Sequence, residues 1–254
     1  MINKKEILQE RDDILTALLY SIAEKPLLSQ LLILQGGGAL HFIYSSPRYS
    51  TDLDFAFPEF AAYYNQIIYE LSSNDFLKNR TTKEYNPKIS SLKRNSFKIK
   101  YSPQNENGIS ARIEVYNVGA EEYKETKGKF NPLLVETPKE ISADKIVATI
   151  DRITTRGSLK ATDLFDIDYI AENFGAIADA EKVQRKLESY EKSSILNKEN
   201  VDKVLLYIND RNNHNRFLRD IKRTFMPDVF DNMKFDKEFF EKTSMYFERL
   251  KKEI

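Results

Sequence analysis

Asp52 and Asp54 stand two residues apart in the segment 51–57, TDLDFAF, where Leu53, Phe55 and Phe57 take the alternate positions. A period of two sends the apolar side chains to one face of a strand and both carboxylates to the other. Paired carboxylates held in this way can share hard divalent cations through oxygen, which suits Mg²⁺ or Mn²⁺. Upstream, the short apolar run 31–34 ends at Gly36, Gly37 and Gly38. Glycine lets a backbone approach a ligand closely, and N–H groups exposed at the start of a following helix favour anionic oxygen. A glycine turn after a strand, a short helix, then a strand bearing Asp-x-Asp is the order that two-metal transfer of a nucleotidyl group requires. One ion polarises the α-phosphate and activates the attacking hydroxyl, while the other holds the leaving pyrophosphate. A third carboxylate from another strand completes such a site, and Glu114 in the segment 110–116 is the best placed. Taken singly, an Asp-x-Asp pair is ordinary exposed strand and a triple glycine an ordinary turn. Their order and spacing carry the reading.

The elements that must position these residues follow from periodicity. Residues 1–23 have helical apolar spacing, 31–34 reads as a buried strand, 39–44 as a short helix and 51–57 as a half-buried strand. Residues 60–71 read as helix, and 96–101 and 110–116 as strands joined by a polar turn from Pro103 to Gly108. In the second of these strands Ile113 and Val115 face one way, and Arg112, Glu114 and Tyr116 the other. Beyond Pro138 the texture turns helical: Ile141, Ile146, Val147, Ile150 and Ile153 form an apolar face, with Lys145, Arg152 and Arg156 on another. Further helices are expected near 160–173, 179–191, 199–209, 213–225 and 235–253. The spacing predicts an α/β unit over 1–138 and a helical unit over 139–254.

Composition narrows the chemistry. The 254 residues contain no cysteine and only two histidines, His41 and His214. Disulfides, thiolate zinc sites, cysteine nucleophiles and His-rich metal sites are thereby excluded, so any metal must be held by carboxylate oxygen. No stretch approaches the roughly 20 apolar residues of a membrane span, and the charged N-terminal segment is unlike a signal peptide; a cytoplasmic location and no membrane contact are expected. Formal net charge is zero, yet residues 78–100 carry eight Lys and Arg against Glu84 alone, and a second basic run spans 211–223. Either run is a solvated surface or a phosphate-binding one.

The stretch Gly36-Gly37-Gly38-Ala39-Leu40, then Tyr44, then Pro47-Arg48-Tyr49-Ser50-Thr51-Asp52-Leu53-Asp54-Phe55 resembles the first signature block of the AbiEii toxin family, within the polymerase-β-like nucleotidyltransferases. A second block, 138–152 (PKEISADKIVATIDR) with 160–166 (KATDLFD), is similar to that family's later motif and stands in the expected order. The resemblance implies an α+β fold: a mixed sheet flanked by helices, followed by a C-terminal helical bundle. It implies that Asp52 and Asp54 hold the metal, that Arg48 lies beside them, that Lys145 lies near a nucleoside triphosphate, and that Asp163 and Asp166 position the nucleotide. It further implies a toxin–antitoxin or phage-defence setting, a cognate antitoxin, and an RNA acceptor such as tRNA. Two positions depart from the pattern. Gly38 stands where the family usually has Thr or Ser, and Thr162 where an Arg usually precedes Asp163; each change removes a phosphate contact.

The sequence therefore leads to an Mg²⁺-dependent enzyme that transfers NMP from an NTP to an RNA end, with Asp52, Asp54, Glu114 and Lys145 catalytic and Gly36, Gly37, Gly38, Arg48, Asp163 and Asp166 holding the nucleotide. The alternative is a degenerate relative that binds a nucleotide or a protein without turnover.

Overall fold

The computed structural model describes residues 3–104, 108–190 and 194–254. It divides into two compact units, Met1–Glu136 and Thr137–Ile254. The architecture is α+β, a mixed sheet with flanking helices followed in the chain by a helical unit.

The first unit opens with α1 (Lys4–Ala23), whose start is set by a reciprocal cap: Asn3 accepts from the Glu6 amide, and Glu6 accepts from the Asn3 amide. Its buried stripe includes Leu8, Ile14, Leu15, Leu18, Leu19 and Ile22. Then come α2 (Pro26–Leu31), β1 (Ile33–Gln35), α3 (Gly36–Phe42), β2 (Leu53–Ala56) and α4 (Phe60–Leu71). The strands β3 (Tyr85–Lys93), β4 (Ser96–Pro103), β5 (Ala111–Tyr116), β6 (Tyr123–Glu125) and β7 (Leu134–Glu136) complete a seven-stranded sheet in the order β3-β4-β5-β2-β1-β7-β6. Parallel pairing of β2 with β5 sets Leu53, Asp54 and Phe55 beside Ile113, Glu114 and Val115. One face of these strands is therefore apolar and buried, with Leu53, Phe55, Phe97, Ile99, Ile113 and Val115 at or near zero exposure.

Some elements differ from the sequence expectation. Leu31 closes α2, whose first turn is started by Pro26, so the buried strand begins two residues later than the apolar run. Helix α3 begins at Gly36 itself, which places all three glycines in its first turn. Asp52 lies just before β2 rather than within it. The basic stretch 78–100 contains the whole of β3, an edge strand without clean alternation. The polar turn expected over 103–108 lies partly outside the described residues, as do the first two residues of the expected N-terminal helix and residue 191 of the expected 179–191 helix.

The second unit contains α5 (Pro138–Arg156), α6 (Ala161–Phe174), α7 (Ala180–Ser189), α8 (Lys198–Asn209), α9 (Arg211–Ile221), α10 (Pro227–Asn232) and α11 (Lys237–Glu253). Thr137 caps α5 with Pro138 in its first turn, and Gly157 ends it in the left-handed region at φ 61°. Its core joins Ile146, Ile150, Leu164, Phe165, Val183, Val204 and Phe247. No helix among the described residues is long and apolar enough to cross a membrane.

Candidate active site

Side-by-side pairing of β2 and β5 brings Asp54 and Glu114 into one register on the polar face of the sheet. Asp52 joins them through a shared cation: the Arg112 guanidinium lies 3.3 Å from Asp52 Oδ2 and 4.0 Å from Glu114 Oε1. Glu114 is buried, and its Oε2 accepts from Lys98 Nζ and Tyr116 Oη, each at 2.5 Å. Burial works to raise the Glu114 carboxyl, but the bonds from Lys98 and Tyr116 and the charges of Lys98 and Arg112 outweigh it and hold the group below the usual range. Burial pushes the Tyr116 hydroxyl far above its ordinary value, helped by Asp54, Glu114 and Asp52. It stays a proton donor at any physiological pH. That three carboxylates act on one hydroxyl shows how much negative charge this face gathers. Arg11 of α1 answers part of it: burial lowers its guanidinium, while the nearby Asp52 works to raise it.

The donor set is all oxygen, which fits a hard cation such as Mg²⁺. Among the described residues, however, no three acidic or histidine side chains converge as a ready-made cation site. Lys98 and Arg112 neutralise Glu114 and Asp52, respectively, in this arrangement.

Each glycine of the turn has its own reason. Gly36 is at φ +65°, and a Cβ there would meet Asp54 Oδ2 at 3.5 Å, so the turn and Asp54 are neighbours. Gly37 makes room for the Arg48 guanidinium, whose Cζ lies 3.1 Å from where a Cβ would stand. Arg48 is itself buried. Gly38 has no left-handed φ; its missing Cβ would point at Leu53 Cδ2, 3.1 Å away, and at the Asp52 carbonyl oxygen, 3.5 Å away. Gly37 and Gly38 are buried, and Gly36 is the half-exposed member of the three. A serine at 38 would direct its side chain inward, toward the Leu53 side of the turn.

In the second unit, Lys145 is not a solvated helix residue. It is 8% exposed, and its Nζ lies 2.8 Å from Asp166 Oδ2 and 3.2 Å from Asp163 Oδ1. Arg152 approaches Asp163 at 3.6 Å. Both aspartates of α6 therefore pair with cations of α5, Asp166 with Lys145 and Asp163 with Lys145 and Arg152. Thr162 beside them is buried, and its hydroxyl has no hydrogen-bond partner among the described residues. His41 bridges Asp12, 2.7 Å from Nε2, and the Ser46 carbonyl, 3.0 Å from Nδ1, as a packing and bonding residue of the first unit.

Sequence reasoning missed Lys98 as a partner of Glu114, although the alternation of β4 places it on that face. It missed Arg11 altogether, because nothing local in α1 points to a strand 40 residues away. Acidic side chains gathered on one face of a mixed sheet, beside a left-handed glycine turn, place the chain with the nucleotidyltransferases. The model for the nucleotidyl transferase AbiEii toxin of type IV TA systems matches residues 17–237, and the chain belongs to that family. Solved structures support the fold. MenT4, a nucleotidyltransferase toxin from Mycobacterium tuberculosis H37Rv, superposes with a TM-score of 0.61 at 14% identity, over 98% of this chain and 90% of that one. A nucleotidyltransferase described as putative from H. pylori gives 0.53 at 17% identity, over 98% and 96%, and JHP933 from Helicobacter pylori 0.53 at 15%, over 96% and 92%. Among curated proteins, none matches this sequence.

Proposed function

We propose that the chain transfers NMP from an NTP to an RNA end, such as the acceptor end of a tRNA, with Mg²⁺ or Mn²⁺ held by Asp52 and Asp54 and completed by Glu114. The observation that carries this is the register of β2 against β5, which sets Asp54 beside Glu114 on the face that Asp52 also serves. The bound cation would polarise the α-phosphate and neutralise the leaving pyrophosphate. The chain's own groups do the rest. Gly36 leaves space next to Asp54 for a phosphate to approach. Arg48 packs its guanidinium against Gly37 of the turn. Tyr116 and Lys98 hold the Glu114 carboxylate in one orientation, and Arg112 bridges it to Asp52. Within the second unit, Lys145, Asp163 and Asp166 form a buried charged cluster, to which the family resemblance gives a role in nucleotide positioning. A cytoplasmic location and a cognate antitoxin complete this reading, drawn from the family.

A second reading rests on the same contacts. With Asp52 and Glu114 already paired to cations, and with Gly38 and Thr162 lacking the family's phosphate-binding side chains, the chain would bind a nucleotide or a partner without turnover. Pyrophosphate release measured with each NTP in turn, with Mg²⁺ and with or without tRNA, separates the two. Transfer is expected in wild type and lost in Asp54→Ala and Asp52→Ala, with far-UV circular dichroism unchanged. Tight NTP binding with no release in wild type selects the second reading, and wild-type rates in both variants remove the site assignment.

A further inference from the structure

The sheet register puts three cations in one row across three strands: Lys88 of β3 opposite Lys100 of β4, and Lys100 opposite Arg112 of β5. Arg112 is the residue that touches Asp52 and Glu114. Because directly paired residues share a face, the row lies on the same side of the sheet as Asp54 and Glu114, while Phe97, Ile99 and Ile113 are buried on the other. Lys93 lies on this face too, opposite Ser96 at the far end of the hairpin. All three members of the row are exposed, and among the described residues neither Lys88 nor Lys100 has a carboxylate within ion-pair distance. Like charges directly opposite each other weaken a strand pair, so this row costs the hairpin stability. Four other cations of the basic segment are engaged: Lys78 pairs with Asp75, Arg80 with Glu24, Lys83 with Glu10 and Lys98 with Glu114.

We propose that Arg112, Lys100 and Lys88 form a track that binds the phosphate backbone of a single-stranded RNA and leads its end to Asp52 and Asp54. The proposal rests on the transferase reading above and specifies where its acceptor lies. Two strand-to-strand steps of roughly 4.8 Å carry the row about 10 Å from the aspartates' end to the sheet edge, a span suited to a short run of backbone phosphates. The three are Lys and Arg, with no aromatic side chain in the row for bases to stack on, so the contacts read backbone charge and not base identity. The edge itself is built against an added strand. Pro87 removes a backbone donor, the register shifts between Ile89 and Ser91, and Lys88 adds charge. These features disfavour a protein partner that pairs with β3 and favour a polyanion lying across the face.

The test uses the full chain with Lys88→Glu plus Lys100→Glu, and Arg216→Glu plus Arg219→Glu on α9 as a charge-matched control. Binding of oligouridylate and of total tRNA is followed by fluorescence anisotropy over a KCl series. The track variant should bind both RNAs about tenfold or more weakly, and its log–log salt slope should fall by about 1.4 for two lost single-strand contacts. The control should match wild type, and Mg²⁺–NTP binding should be unchanged in both. If charge reversal unfolds the protein, Lys88→Gln plus Lys100→Gln, on the same exposed positions, should show the same loss of slope. An unchanged slope in the track variant, or an equal loss in the control, overturns the proposal. Poly-L-glutamate competing as well as oligouridylate also overturns it, in favour of an acidic protein partner. Pyrophosphate release keeps the two proposals apart. RNA bound through the track with no release in wild type sinks the transferase reading and leaves the track standing; release with an unchanged KM for RNA in the track variant does the reverse.

Discussion

At the scale of single residues, the glycine turn shows how one motif can hold three different constraints. Gly36 is required by its left-handed backbone, Gly37 by the Arg48 guanidinium, and Gly38 by the packing of Leu53. The absence of the family's hydroxyl at position 38 therefore has a local cause, since a side chain there has to displace Leu53. Gly38→Ser is expected to lower the thermal midpoint by a few degrees, in line with about 1 kcal/mol of overpacking, and to leave NTP affinity unchanged. Isothermal titration with each NTP beside a melting curve checks both; tighter NTP binding in the serine variant would show that the hydroxyl reaches the ligand. Gly37→Ala has a different expectation. Its methyl group would occupy the place of the Arg48 side chain, so it should cost more stability than Gly38→Ser and should impair transfer as Arg48 moves.

At the scale of elements, α5 meets its neighbours through buried charge as well as apolar contact. Lys182 and Lys186, one turn apart on α7, reach the fully buried Glu140 at 2.6 and 2.7 Å, and Lys186 also lies 3.1 Å from Asp144. A matched pair of i, i+4 acids on one helix and i, i+4 lysines on the other is visible in the sequence, but only packing shows that they meet. Removing one partner from such a cluster leaves buried charge uncompensated, so Glu140→Ala should destabilise the protein by about 3–5 kcal/mol. Replacing Glu140 and Lys182 together by Leu and Met should recover much of that loss, because the remaining Lys186 keeps Asp144. Urea unfolding of the single and double variants measures the difference; equal loss in both would mean that the cluster's value lies in shape rather than charge. The Lys145 cluster follows the same logic between α5 and α6, and Asp166→Ala should be costly for stability before it is costly for chemistry.

At the scale of the whole molecule, the zero net charge conceals two separate arrangements of charge, one on the sheet face of the first unit and one buried in the second. The second unit also carries a pH-sensitive group. Burial raises the Asp168 carboxyl from 3.8 to about 6, with Glu172 adding to the shift and Lys242 and Tyr246 opposing it. A carboxyl whose folded value is raised adds stability while it is protonated, fully so below the unfolded value near 3.8, and that contribution is lost as pH rises through about 6. From Asp168 alone, the thermal midpoint should therefore fall between pH 4 and 6, and Asp168→Asn should flatten this part of the profile. Superimposable profiles for wild type and Asp168→Asn would show that Asp168 does not titrate in this window.

Local chemistry made Asp52, Asp54 and the glycine turn legible from the residue order alone, because a period of two and a glycine run are properties of neighbours along the chain. The same holds for α4 and the long amphipathic helices α5, α6 and α8, whose observed bounds lie within a few residues of their apolar spacing. What depended on distant segments was not legible. The strand β3 has no periodicity of its own and exists because β4 offers it a ladder. That Lys98 and Tyr116 hold Glu114, that Arg112 reaches Asp52, and that Lys145 is buried between two aspartates are all consequences of register and packing. An exposed lysine and a buried, paired one read alike in a sequence. Only when other elements exclude water from around the ammonium does its partner become obligatory.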